Sequence, residues 1–131
     1  MKYLLDTAVW LWSLTASERL NKRGRQLIEN GKEELYLSAA SSWEISIKST
    51  LGKLRLPEPP MRYVPKRMDA QGIRPLPISH THALWVSSLP MHHNDPFDRL
   101  LIAQAQSEKM VILTADRAFA QYDVKTFWCG P

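Results

Sequence analysis

The sequence predicts an α/β fold: a three-layer α/β/α arrangement with a mainly parallel sheet of about five strands, in a single domain spanning residues 1–131. Three observations lead there. Short apolar runs such as Lys2–Leu5 and Met110–Leu113 each end within a few residues at a carboxylate, Asp6 and Asp116. Longer segments between such runs carry apolar residues at helical spacing. The stretch His93–Ala105 packs Asp95, Pro96 and Asp98 into the start of an apolar helix, with Asp95 at the N-cap and Pro96 at the first helical position.

Taken in order, Lys2–Leu5 is a buried strand and Ala8–Leu14 is a helix packed on the sheet, too apolar for an exposed loop. Trp10 and Trp12 are assigned to packing ahead of the alternative, base-stacking platforms. Asn21 is placed to cap a helix that Gly31 closes, and Leu35–Leu37 is the second strand. Ser38–Ser42 opens a further helix, in which Trp43, Ile47 and Leu51 recur at helical spacing until Gly52. Leu54–Pro65, with four prolines, is a rigid connection, followed by a short helix over Tyr63–Ala70 that stops at Gly72.

Ile73–Ile78 contains Pro75 and Pro77, so it belongs at a sheet edge or stays short. His80–Ser88 is a helix with Ala83, Leu84 and Val86 inward. His80, His82, His92 and His93 match no zinc-binding spacing and are given loop and packing roles. After the Asp98 helix and the Met110–Leu113 strand come a short helix over Arg117–Tyr122 and a last strand over Lys125–Trp128.

Composition narrows the function classes. The hydrophobic fraction of 44% is that of a folded protein. The one cysteine, Cys129, makes neither an internal disulfide nor a cysteine-rich zinc site. Asp6 interrupts the only N-terminal apolar run, and no apolar segment approaches the roughly 20 residues of a membrane span, so a soluble, cytoplasmic protein is expected. The net charge is +4. If Asp6, Glu44, Asp95, Asp98 and Asp116 share a cleft, eight acids remain elsewhere against 17 Lys and Arg. An acidic pocket in a basic surround suits metal ions inside and phosphates around them.

Each acid also has a plain structural role open to it. Asp6, Asp95 and Asp98 can cap helices, and Glu44 can pair with Lys48 four residues on. Yet Asp6 and Asp116 follow strands while Asp98 and Glu44 open helices, and in a parallel α/β sheet those places meet at one edge. Carboxylates gathered there repel one another unless a hard divalent cation lies between them. All-oxygen ligation favours Mg2+ or Mn2+. Such an ion acidifies a bound water and stabilises charge on a phosphoryl oxygen, which suits phosphodiester hydrolysis.

Four blocks of residues carry a family resemblance: Leu4-Leu5-Asp6-Thr7 with Trp10; Ser41-Ser42-Trp43-Glu44-Ile45 leading to Gly52-Lys53-Leu54; Asp95-Pro96-Phe97-Asp98 through Ala105; and Leu113-Thr114-Ala115-Asp116 with Phe119. Through them essentially the whole chain resembles the PIN-domain ribonucleases, above all the VapC toxins of bacterial type II toxin–antitoxin pairs. The resemblance implies a metal-dependent endoribonuclease using metal-activated water. Asp6, Glu44, Asp98 and Asp116 would be its acidic set, with Asp6 and Asp98 holding the principal Mg2+ or Mn2+. Asp95 is a further candidate that capping also explains, and Thr114 a candidate hydroxyl behind the acids. The implied partners are RNA as substrate, a second copy of the chain, a cognate VapB-like antitoxin, and operator DNA only through the antitoxin complex. Two other classes remain beside it. One is a non-catalytic RNA-binding or regulatory protein of the same fold. The other is a phosphatase using Asp6, which Ala8 disfavours because the haloacid-dehalogenase pattern wants a second Asp there.

Overall fold

The computed structural model describes residues 1–131. Five strands, β1 (Lys2–Leu5), β2 (Glu34–Ser38), β3 (Arg74–Leu76), β4 (Val111–Thr114) and β5 (Thr126–Trp128), form one sheet in the order β3-β2-β1-β4-β5. Every pairing is parallel. The central strand β1 aligns Tyr3 with both Leu35 and Val111, and Leu5 with Leu113. Asp6 and Thr114 therefore leave the sheet at the same level, and the Asp6 N–H donates to the Leu113 carbonyl at 2.9 Å. The proline-bearing β3 lies at an edge, where the missing N–H of Pro75 costs no interior ladder bond.

Side chains alternate across the sheet, and two cores result. Tyr3 and Leu5 face one cluster with Val9, Trp10, Leu20 and Ile28, while Leu4 and Ile112 face the other with Leu101, Ile102 and Phe119. The first core is covered by α1 (Thr7–Thr15) and α2 (Lys22–Glu29), the second by α6 (Pro96–Glu108), against which α5 (His80–Trp85) packs. This is the three-layer α/β/α arrangement expected. Helices α3 (Ala39–Thr50) and α4 (Pro60–Gln71) complete the set. No helix is long and apolar enough to cross a membrane.

Asn21 caps α2 by accepting the Gly24 N–H at 2.8 Å, and its amide nitrogen also donates to the carbonyls of Trp128 and Gly130. One side chain thus satisfies a helix start and pins the last strand. Asn21→Ala is expected to cost about 2 kcal/mol, a cap plus stranded carbonyls. Asn21→Asp, which keeps the cap and loses the donors, should fall between it and wild type. Urea unfolding midpoints check both.

Three elements depart from expectation, and the short helix expected after β4 takes the 3-10 form. Trp43 and Leu51 are 59% and 62% exposed, and α3 instead buries Ala40, Ser41, Glu44 and Ile45. The apolar stripe is real, but small residues let the opposite face approach the sheet. Helix α4 begins at Pro60 rather than Tyr63, because proline suits a first helical turn; it carries Pro65 on an exposed side and ends at Gly72 with φ 68°. The His80–Ser88 segment is α-helical only to Trp85, then tightens into a 3-10 turn. Its phase is set by His82, whose ring accepts the Ser79 N–H at 3.0 Å and lies 2.9 Å from Glu108, so His82 turns inward and Leu84 is 70% exposed. The Arg117–Gln121 segment is a 3-10 helix.

Candidate metal and nucleic-acid site

Each acid is placed by a local rule. Asp6 is the residue between β1 and α1, in extended conformation, and its carboxylate accepts from the Thr114 hydroxyl at 2.9 Å. Thr114 closes β4, and its oxygen in turn accepts the Asp116 N–H at 3.0 Å. One hydroxyl therefore ties the two strand-end acids together. Asp116 itself caps the 3-10 helix after β4 through Ala118 N–H. Glu44 lies two turns into α3 on its buried face. Asp98 sits in the first turn of α6. Asp95 is the α6 cap: its Oδ1 takes both the Phe97 N–H at 2.8 Å and the Asp98 N–H at 3.1 Å.

All five acids line one cleft of about 490 Å³ at the carboxyl edge of the sheet, with Lys48 and Lys53 among its walls. The capping roles of Asp95 and Asp116 are real and do not remove either from the cleft. Glu44 does pair with Lys48, Nζ to Oε2 at 2.6 Å, but the pair is not the surface bridge that the spacing alone suggests. Glu44 is 6% exposed, and its Oε1 is buried without any hydrogen-bond partner. A buried carboxylate oxygen lacking a donor is a costly arrangement that a cation would relieve.

Electrostatic crowding shows in the proton affinities. Burial, with Asp6, Asp95, Glu44 and Asp116 nearby, pushes Asp98 up to about 8 from an ordinary 3.8. Burial pushes Asp6 up to about 6, against the opposing pull of the Thr114 hydroxyl and the Ala8 N–H. The hydrogen bond from Lys48 to Glu44 raises the lysine in return. The cleft carries more negative charge than Lys48 can balance, and a divalent cation is the ordinary remedy. The donor set fits one: carboxylate oxygens, hard and plentiful, of the kind Mg2+ and Mn2+ take.

One residue beside the acids of this cleft was expected to have only a loop or packing role. His93 Nε2 lies 2.9 Å from Asp98 Oδ2 and 3.7 Å from Asp116 Oδ2. The first contact is close yet too poorly aligned to count as a hydrogen bond. The Asp95 N–H donates to Nδ1 at 3.3 Å, so the neutral ring carries its proton on Nε2, facing the acids. His93, Asp98 and Asp116 present donor atoms within 4.8 Å of one another. No zinc-binding spacing reveals this trio, since Asp98 lies five residues beyond His93 and Asp116 a further eighteen. His82 and His92 keep the packing roles expected of them, against Glu108 and the Tyr122 ring respectively.

Comparison with known proteins gives three results. A family model for the PIN domain matches residues 3–125. Ribonuclease VapC16 of Mycobacterium tuberculosis is 43% identical over 67 residues, which are 51% of this chain and 47% of that protein. The chain thus spans about half the length of this curated relative. Among solved structures, VapBC2 from Rickettsia felis bound to a DNA fragment from its promoter superposes with a TM-score of 0.74 at 12% identity, covering 98% of this chain and 99% of that one. DNA-bound VapBC from Salmonella typhimurium gives 0.69 at 14% identity over 97% of both chains. Identities this low speak for the fold alone.

Proposed function

The chain belongs to the PIN domain family, and from that premise we propose that it is a metal-dependent endoribonuclease acting as the toxin of a type II toxin–antitoxin pair. The observation that carries the enzymatic part is the cleft: carboxylates from two strand ends and two helices crowded into one volume, with a buried Glu44 oxygen left without a donor. Asp6, Asp98, Glu44 and Asp116 would hold Mg2+ or Mn2+, and Asp95 would serve chiefly as the α6 cap. A bound ion would supply acidity to a water and positive charge at the phosphoryl oxygen. The chain's own groups do the rest. Thr114 fixes the Asp6 carboxylate, Asp95 fixes the start of α6 and so the direction of Asp98, and Lys48 balances part of the charge of Glu44.

The toxin role rests on likeness to VapC16 and to proteins solved as VapBC assemblies with DNA. A VapB-like antitoxin, operator DNA reached through that complex and a homodimer are the partners it brings. The outward stripe of Trp43, Ile47 and Leu51 supports association, being apolar surface of the kind that protein partners cover. A second reading, RNA binding without cleavage, draws on the Lys48 ammonium already seated against Glu44.

Incubation of the purified chain with single-stranded RNA decides between them. Cleavage is expected in Mg2+ or Mn2+ and none in EDTA. Binding that survives EDTA, with no cutting in any divalent ion, would establish the second reading.

A further inference from the structure

We propose that Trp12, held by Arg19, is a base-stacking platform on the rim of the acidic cleft, and that Lys53 anchors a phosphate of the same strand. The proposal rests on the reading of the cleft as an RNA site. Two tryptophans two residues apart in α1 have opposite fates. Trp10 is fully buried, and its indole N–H donates to Gln71 at 2.8 Å. Trp12 is only half-buried and lines the cleft together with Leu11 and Leu54. The Arg19 guanidinium lies over its ring, 4.1 Å from the centroid.

These features have one occupant in common. A cleft floored by carboxylates repels a polyanion, so a strand that brings a phosphate there needs attraction close by. Lys48 is committed to Glu44, which leaves Lys53 as the free cation of the lining. The indole beside it offers what every unpaired base can use, a π-face, on the side that Arg19 does not cover, and the arginine on the far side adds cationic character to the platform. Trp12 lies six residues beyond Asp6, about 9 Å along the helix axis, within a nucleotide or so of a phosphate held at the acids. A duplex keeps its bases stacked on one another, so the platform selects unpaired RNA.

The test measures binding, apart from cleavage. A fluorescein-labelled 12-nucleotide oligoadenylate and an abasic ribose-phosphate strand of equal length are titrated by anisotropy in Ca2+, with strand integrity checked on gels. Wild type is expected to bind the base-bearing strand roughly tenfold tighter. Trp12→Leu should bring the two strands together, and Trp12→Phe should keep most of the difference. Lys53→Gln should weaken both strands alike and lower the salt dependence by about one counterion.

Equal binding of the two strands by wild type would overturn the proposal, whether or not Trp12→Leu folds. So would an undiminished preference in a folded Trp12→Leu, or no binding at all. Cleavage of the oligoadenylate in Mg2+ or Mn2+ is scored separately. A base-dependent grip without cutting would sink the nuclease reading alone, and cutting without that grip would sink this one alone.

Discussion

Asp98→Asn is expected to lower RNA cleavage by about a thousandfold or more and to leave the domain folded. An electrostatic contribution placed where charge develops is worth several kcal/mol, and Asp98 is proposed as a principal ligand of the ion that supplies it. The variant should not lose stability, because Asn keeps the shape of a carboxyl whose ionisation is already opposed, pushed up to about 8 by burial and its acidic neighbours. Asp6→Asn should behave alike in activity.

Asp95→Asn is the informative contrast. Asparagine caps helices as well as aspartate does, and Asp95 Oδ1 already holds two backbone N–H groups of α6. If capping is its main work, cleavage by Asp95→Asn stays within about tenfold of wild type. Initial rates on a labelled RNA, with circular dichroism on each variant, check all three. A fully active Asp98→Asn would remove the site from consideration.

The metal-free chain is expected to lose stability as pH rises, which is the reverse of ordinary acid denaturation. Asp6 and Asp98 titrate near 6 and 8 when folded, against about 3.8 when unfolded. Between pH 4 and 8 the folded chain therefore holds protons that the unfolded chain has released. Stability falls across that window and levels off above it. A displacement of one pH unit is worth about 1.4 kcal/mol. The two groups belong to one cluster, so their effects overlap rather than add. In EDTA the melting temperature at pH 8 should lie on the order of 5 °C below that at pH 5. Millimolar Mg2+ or Mn2+ should restore it at pH 8 and do little at pH 5, where protons occupy the same oxygens. Asp98→Asn should flatten most of the slope. A metal-free chain that melts higher at pH 8 than at pH 5 would contradict the crowding described for the cleft.

The strands and their acids were legible in the sequence because both rest on local rules. An apolar run ended by Asp6 or Thr114-Ala115-Asp116 carries its own boundary, and Asp95-Pro96 spells a helix start. What escaped depends on contacts made across the chain. Periodicity found the stripe of Trp43, Ile47 and Leu51 but not the side to which it turns, which Glu44 and Ile45 decide by packing inward. His93 shows no motif, since its neighbours Asp98 and Asp116 are brought to it by different elements. Trp12 looked like its neighbour Trp10 until the helix was placed.

The strand order has a bearing on how the chain is made. Strands β1, β2 and β3 neighbour one another and lie within the first 76 residues, so that half of the sheet can assemble while synthesis continues. The other side of β1 waits for β4, which ends at Thr114, and Thr114 is what steadies Asp6. A nascent chain on the ribosome thus lacks its complete set of cleft carboxylates until Asp116 has emerged, so the acidic crowding at the cleft arises late in synthesis, after half of the sheet can already have paired.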